Sequence, residues 1–135
     1  MADIRTVTPE FAVAPQLGPR DMAEAARRGF RLVINNRPDE EVPGQPSSAE
    51  MEQAARAAGL DYSHIPVRGG PTPEQVAAVR AAAEAAGGPT LAFCRSGTRS
   101  IVTLSLGQAE AGRSRGELTQ LGRDAGYDLS GVLGG

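Results

Sequence analysis

Short apolar runs alternate along the chain with longer segments whose apolar residues recur at helical spacing. The runs predict strands at residues 11–15, 31–35, 61–66 and 90–93, the first a short edge strand ended by Pro15. The longer segments predict helices at residues 20–28, 48–58, 72–86, from 101 onward, and 114–125, and residues 132–135 are expected to fray. Strands that alternate with helices predict an α/β fold, a mostly parallel central sheet flanked by helices.

Several helix ends carry their own signals. Ser47 or Ser48 is predicted to cap the second helix, and Gly59 to end it. Thr72 followed by Pro73, with Gln75 three residues after the Thr, is typical of a capped helix start.

Composition narrows the class of protein. The chain has 135 residues, 40% of them hydrophobic and 22% charged, which predicts one globular domain over residues 1–135. A net charge of -2 gives no reason to expect nucleic acid or a membrane surface as partner. No apolar stretch is long enough to cross a membrane, and the first residues do not have the pattern of a secretory signal. A free thiol fits a reducing compartment, so we expect a cytoplasmic protein.

In parallel α/β sheets, the loops that follow the strands gather at one edge, and ligands bind there. The predicted loops at residues 36–46, 67–71 and 94–99 all follow strands. We therefore expect these three loops to surround one site.

The loop at residues 94–99 carries the strongest chemical signal. It runs from Cys94, the single cysteine, to Arg99, between a predicted strand and a predicted helix. Backbone N–H groups in such a turn converge on one point, and the helix N-terminus and the arginines add positive charge. The same environment favours the thiolate form of a cysteine. The alternative, a buried structural cysteine, fits poorly with a polar turn flanked by arginines.

Each residue of this loop has a candidate role. Cys94 is the candidate nucleophile, and Arg99 would clamp an anionic group through two hydrogen bonds. Arg95 either lines the mouth or is a solvated surface arginine. The residues predicted to supply backbone donors, or to let the backbone bend, are Ser96, Gly97 and Thr98. Ser100 either donates to the Cys94 sulfur or caps the helix.

The loop at residues 36–46 offers a second group of polar side chains. Arg37 is predicted to contact an anionic substrate, and Asp39 to orient an arginine or act as an acid. A turn held by Asn and Asp side chains is the alternative. The same loop also contributes Asn35, Asn36, Glu41 and, as a weaker candidate, Gln45.

The single histidine, His64, lies inside a predicted strand, and we expect a structural role for it. One histidine and one cysteine do not make a conventional metal site, and no motif calls for a cofactor.

Two chemistries fit the Cys94 loop. A Cys-x4-Arg loop that begins Cys-Arg-Ser-Gly resembles the active-site loop of rhodanese-type sulfurtransferases, whereas the related loop of cysteine-dependent phosphatases normally reads Cys-x5-Arg. Such phosphatases need a general acid to protonate the leaving oxygen, and in proteins of this topology it follows the preceding strand. Residues 67–71 contain no carboxylate. Both features favour sulfur transfer, although Asp39 or Glu41 could act as the acid.

Segments across nearly the whole chain together resemble one bacterial family. They are Pro15-Gln16-Leu17, Val33-Ile-Asn-Asn-Arg-Pro-Asp39, Gln45-Pro46, His64-Ile-Pro66, Ala92-Phe-Cys-Arg-Ser-Gly-Thr-Arg-Ser100 and Ala125-Gly-Tyr-Asp-Leu129. The family is the small phosphatase-like domain that is also found fused to a metallo-β-lactamase-like hydrolase. The resemblance implies a dual-specificity-phosphatase-like fold with a rhodanese-like loop, in which Cys94 and Arg99 correspond to the catalytic cysteine and the loop arginine.

The first hypothesis from the sequence is a sulfurtransferase. Cys94 would take sulfane sulfur from thiosulfate or a low-molecular-weight persulfide and pass it to a thiol acceptor such as glutathione. The family resemblance implies a functional link to a persulfide-processing metallo-hydrolase. Two alternatives stay open: a cysteine-dependent phosphatase that acts through a phosphocysteine, and a non-catalytic anion-binding or redox-sensing module.

Overall fold

A five-stranded sheet forms the centre of the computed structural model, which describes residues 1–134. Its strands, in chain order, are β1 (Arg5–Thr8), β2 (Phe11–Ala14), β3 (Leu32–Asn35), β4 (Asp61–His64) and β5 (Thr90–Phe93). They lie in the order β1-β2-β5-β3-β4. β1 pairs with β2 in antiparallel fashion and all other pairs are parallel, so the predicted mostly parallel α/β fold is confirmed.

The first strand, β1, was not predicted, and its presence shows that the prediction of β2 as an edge strand is wrong. β2 is not an edge strand, because β1 covers its outer side. β1 has the sequence Arg-Thr-Val-Thr, in which only one residue is apolar, so hydrophobic patterning does not reveal it. The Thr8 hydroxyl accepts hydrogen bonds from the backbone N–H groups of Glu10 and Phe11, and this closes the tight turn between the two strands.

Within the described residues, six helices accompany the sheet: α1 (Asp21–Arg27), α2 (Ser48–Ala57), α3 (Pro73–Ala85), α4 (Thr98–Glu110), α5 (Arg115–Asp124) and α6 (Ser130–Leu133). Ser47 caps α2 and Thr72 caps α3, each in a complete capping box, as the sequence predicts. The expected fraying of the C-terminus is wrong for residues 132 and 133, which lie in α6, because the side chain of Leu133 is buried in the core. Gly135 lies outside the described residues.

The helices bury both faces of the sheet. Met22 of α1 and Met51 of α2 pack on one face with Leu91 and Phe93 of β5. The opposite face is covered by α3 to α6, for which the central buried residues are Val79, Ile101, Leu104, Leu118, Leu129 and Leu133. The central strand β5 is therefore fully buried, as expected for a parallel strand between two helical layers.

Strand register brings the loops together. Asn35 at the end of β3 pairs with both Phe93 of β5 and His64 of β4, and Ala14 of β2 also pairs with Phe93. The four parallel strands therefore end at one level, and the chain segments that follow them begin at the same edge of the sheet.

Among residues 1–134, no helix has the length and apolar character needed to cross a membrane.

Candidate active site

Cys94 lies at the base of the loop between β5 and α4. Its side chain is fully buried, and its Sγ accepts a hydrogen bond from the backbone N–H of Gly97 at 3.1 Å. Gly97 is the N-cap residue of α4 and has a φ of 92°, a left-handed conformation that favours glycine. The helix therefore begins at Thr98, three residues earlier than the apolar spacing suggests. Its N-terminus is directed at the cysteine loop.

Several backbone donors around the sulfur are free. Within residues 1–134, no acceptor is present for the N–H groups of Arg95, Ser96, Arg99 and Ser100. Thr98 differs, because its N–H donates to the Ser96 hydroxyl at 3.3 Å. A loop with several unpaired N–H groups at the positive end of a helix is a binding site for an oxyanion.

Arg99 uses three of its five side-chain N–H donors in hydrogen bonds within residues 1–134. Its Nη1 donates to Glu41 Oε2 at 2.7 Å and to the Val67 carbonyl at 2.8 Å, and its Nη2 donates to Glu41 Oε1 at 2.9 Å. The remaining donors, Nε–H and the second Nη2–H, form one edge of the planar guanidinium, the edge that binds two oxygens of an anion. The Glu41 carboxylate raises the pKa of Arg99, and the nearby Cys94 sulfur adds to this effect. The guanidinium is thus already positioned beside the sulfur.

Glu41 joins Arg99 to a second, buried arginine. Its Oε1 also accepts a hydrogen bond from Arg37 Nε at 2.9 Å. The hydrogen bonds from Arg99 and Arg37 lower the pKa of Glu41 to about 2. The carboxylate is therefore ionised at neutral pH. In this arrangement Glu41 cannot donate a proton, and the sequence-based suggestion that it acts as an acid is wrong here.

The low pKa of Glu41 predicts a pH-dependent contribution to stability. Because folding depresses this pKa from 4.5, the stabilisation is present above pH 4.5 and is lost as the pH falls toward 2. We expect Glu41→Gln to lower the free energy of unfolding at pH 7 by about 1 to 2 kcal/mol, since partial exposure weakens the ion pairs. Urea unfolding at pH 7, 4.5 and 3 should show the difference from wild type narrowing. Glu40→Gln, at the exposed neighbouring position, should change little at any pH, and a constant difference for Glu41→Gln would contradict this role.

The three predicted loops do meet at one place. Arg99 contacts residue 41 of the first loop and residue 67 of the second through the hydrogen bonds given above. Ser100 provides a further link, since its hydroxyl donates to Asn36 Oδ1 at 2.8 Å. Ser100 is buried, and it neither caps α4 nor donates to the Cys94 sulfur, so both predicted roles for it are wrong. Asn36 is also fully buried and donates to the Ile65 carbonyl, which makes its role structural.

Other predicted substrate-binding residues are placed differently. Arg37 is buried, with Nη1 donating to Gln16 Oε1 at 3.0 Å, so a direct contact with substrate is not supported. Asp39 accepts a hydrogen bond from the Ser48 N–H at 2.8 Å, next to the start of α2, and orients no arginine; Glu41 does that instead. The side chain of Arg95 is exposed and makes no hydrogen bond within residues 1–134, which agrees with the surface alternative.

His64 has the structural role that its strand position predicts. Its Nε2 lies 2.8 Å from the Arg37 carbonyl oxygen, at the base of the first loop. Neither His64 nor residues 67–71 therefore supply an acid or base to the sulfur.

Two residues at the site were missed as site residues. The Gln16 N–H donates to the Arg95 carbonyl at 3.2 Å, and the Tyr127 hydroxyl donates to the Ser96 carbonyl at 2.9 Å. Gln16 follows β2, and a correct sheet order would have placed it at the same edge. Tyr127 lies in the segment 125–129 that contributes to the family resemblance, but no residue spacing predicts its contact with Ser96, 31 residues earlier.

Comparison with known proteins identifies the family of the chain. Residues 3–111 match the family model described as the beta-lactamase hydrolase-like protein, phosphatase-like domain. The beta-lactamase hydrolase-like protein of Agrobacterium fabrum is 37% identical over 125 residues, which cover 91% of this chain and 29% of that protein. The chain thus spans less than a third of the length of the curated relatives it matches.

Solved structures give the same result for the fold. A crystal structure from Neisseria meningitidis, of a protein named as a candidate phosphatase, has a TM-score of 0.86 and 29% identity over 99% of this chain and 96% of that one. The structure of Tk-PTP in its active form has a TM-score of 0.72 and 24% identity over 93% and 86% of the two chains, a likeness of fold alone. The fold is cysteine-phosphatase-like, as the family resemblance implied. From the extent of these matches, the chain belongs to the family of the phosphatase-like domain of beta-lactamase hydrolase-like proteins.

Proposed function

We propose that this domain is a cysteine-dependent phosphatase that acts on phosphate monoesters, the alternative rather than the first hypothesis from the sequence. One arrangement carries the proposal: the Cys94 sulfur, the N–H groups that have no acceptor within residues 1–134 and Arg99, which keeps two side-chain donors unused there, all belong to one short loop at a helix N-terminus. A phosphoryl group carries negative charge on three peripheral oxygens, and backbone N–H donors beside an arginine complement that charge. Membership of a phosphatase-like family and the likeness to the Neisseria meningitidis protein support the same reading.

The reaction has two steps. The Cys94 thiolate attacks phosphorus, so an S–P bond forms as the P–O bond to the leaving group breaks. Water then attacks the phosphocysteine, which releases inorganic phosphate and restores the thiolate. Arg99 and the loop N–H groups stabilise the charge on the phosphoryl oxygens in both steps.

The leaving group sets a limit on the substrate. Glu41 is ionised and bound by two arginines, and Asp39 lies at the start of α2 with one oxygen bound to the Ser48 N–H, so neither carboxyl group is positioned as the acid for the leaving group. The leaving oxygen must take its proton from solvent. We therefore propose that the domain favours phosphate esters whose leaving group is stable as an anion, such as aryl phosphates of acidic phenols.

The same missing acid supports sulfur transfer as a second candidate. Thiosulfate releases sulfite, which needs no proton to leave, when a thiolate takes its outer sulfur as a persulfide. A thiol acceptor such as glutathione would then remove that sulfur. The N–H groups of residues 95–100 and the guanidinium of Arg99, together called the anion cradle, suit thiosulfate as well as phosphate.

A mass measurement separates the two candidates. The wild-type protein is mixed with an aryl phosphate of low leaving-group pKa, quenched in acid within the first turnovers and analysed intact. A parallel sample receives thiosulfate or glutathione persulfide. We expect a phosphoryl adduct that maps to Cys94, together with a burst of phenol, and no persulfide.

Prior alkylation of Cys94 is the control and should remove both the adduct and the burst. Gain of one sulfur, discharged by added thiol, with no release of phosphate would overturn the phosphatase proposal in favour of sulfur transfer. If no adduct forms and no phosphate is released, both candidates are overturned and a non-catalytic binding module remains.

A further inference from the structure

The peptide between Ser96 and Gly97 is held from both sides. On one side its N–H, from Gly97, donates to the Cys94 sulfur at 3.1 Å. On the other side its carbonyl oxygen, from Ser96, accepts a hydrogen bond from the Tyr127 hydroxyl at 2.9 Å. No peptide bond in residues 1–134 is cis, so the C=O and N–H of this peptide point in opposite directions. A donor that fixes the carbonyl outside the loop therefore fixes the N–H inside it.

This peptide needs such support because glycine does not restrain it. Gly97 has no Cβ, and its φ of 92° lies in a region that glycine reaches and leaves easily. If the peptide turned over, the Ser96 carbonyl oxygen would face the thiolate and the bound anion, and repulsion would replace attraction. The preceding carbonyl, that of Arg95, is held outside by the Gln16 N–H. The Tyr127 hydroxyl supplies the equivalent restraint for the next peptide.

Tyr127 is itself held against the loop. The guanidinium of Arg5 lies 5.3 Å from the centre of the tyrosine ring, and Arg5 Nη1 donates to the Ala125 carbonyl at 3.2 Å. A Cβ on residue 97 would overlap the Tyr127 hydroxyl, so the loop backbone and the tyrosine are in direct contact. Burial raises the pKa of Tyr127, so the hydroxyl keeps its proton and remains a donor at neutral pH.

We propose that Tyr127 is a positioning residue of the anion cradle: its hydroxyl holds the Ser96–Gly97 peptide so that the Gly97 N–H faces the Cys94 sulfur and the bound oxyanion. The Tyr127 hydroxyl, the Ser96–Gly97 peptide and the Cys94 sulfur form one chain of hydrogen bonds. Each hydrogen bond polarises the next. Tyr127 lies outside residues 3–111, the part of the chain that matches the family model. The inference rests on the oxyanion site of the proposed function, but not on which reaction the site performs.

The test compares Tyr127→Phe with wild type, using tungstate as the oxyanion. We expect the dissociation constant for tungstate, measured by calorimetry, to rise about tenfold, an effect kept moderate because water can reach the exposed Ser96 carbonyl. In proton–nitrogen spectra, the Gly97 amide resonance should shift between the two free proteins. If the protein turns over an aryl phosphate, kcat/KM should fall by a similar factor, with most of the loss in kcat.

Ser130→Ala is the matched control. Its hydroxyl donates to Asp128 Oδ1 at 2.7 Å, so the variant loses a hydrogen bond of the same terminal segment without touching the loop. It should bind tungstate as wild type does, and thermal melting should show both variants folded. Unchanged tungstate binding and an unchanged Gly97 resonance in Tyr127→Phe, or an equal loss in Ser130→Ala, would overturn the proposal. If tungstate binding depends on Tyr127 while wild type releases no phosphate, the positioning role stands and the phosphatase proposal fails.

Discussion

Serine in place of Cys94 is expected to reduce the turnover of an aryl phosphate to background, a loss of roughly a thousandfold or more. A hydroxyl is a far weaker nucleophile than a thiolate unless a base removes its proton. In the described part of the chain no such base contacts residue 94: His64 Nε2 is bound to the Arg37 carbonyl, and Glu41 is bound by two arginines. Steady-state release of phosphate, with enzyme purified free of contaminating phosphatases, measures the effect.

The protein should still bind an oxyanion after this substitution. The loop N–H groups and Arg99 are unchanged in Cys94→Ser, and the smaller oxygen still accepts the Gly97 N–H. We expect tungstate to bind within about threefold of its wild-type affinity, since the cradle supplies most of the contacts. Loss of both binding and turnover would point to a disturbed loop rather than a missing nucleophile. Turnover above a few per cent of wild type would show that the reaction does not pass through Cys94.

The parts of the fold that were predicted correctly are those with local signals. β5 spans Thr90–Phe93 as the apolar run indicates, because Gly87, Gly88 and Pro89 precede it and the polar loop follows. Ser47 and Thr72 begin their helices because a side-chain oxygen three residues before a Glu or Gln satisfies the first backbone donors. β1 carries no such local signal, and its place beside β2 is fixed by pairing with a strand already in the sheet.

The location of the candidate site was predicted from the sequence, but the side-chain contacts within it were not. Parallel strand ends placed the three loops together, which required no knowledge of side chains. The choice of Glu41 rather than Asp39 as the partner of Arg99 depends on the path of the loop. Glu40 adopts a left-handed φ of 62°, and Gln45 Oε1 accepts the N–H groups of residues 41 and 42. Two acidic residues so close in sequence could not be told apart before that turn was known.

Lysine in place of Arg99 is expected to lower kcat/KM for an aryl phosphate by about 10² to 10³. The guanidinium binds the Glu41 carboxylate with its Nη1/Nη2 edge and the Val67 carbonyl with the other Nη1–H, and the Nε/Nη2 edge remains for the phosphoryl oxygens. An ammonium group is a point charge with no second edge. If it pairs with Glu41 it leaves the substrate, and if it reaches the substrate it leaves Glu41. Charge is conserved in this variant, so the loss measures geometry.

Two further variants make the measurement specific. Arg80→Lys changes an arginine of α3 that pairs with Glu84 at 3.1 Å on the protein surface, and its kcat/KM should stay within about twofold of wild type because exposed ion pairs contribute little. Glu41→Gln combined with Arg99→Lys should lose less than the product of the single losses, because Glu41 acts on the reaction only through Arg99. A combined loss equal to the product of the single losses would show that Glu41 contacts the substrate itself. If kcat/KM of Arg99→Lys equals that of Arg80→Lys, Arg99 does not take part in the reaction.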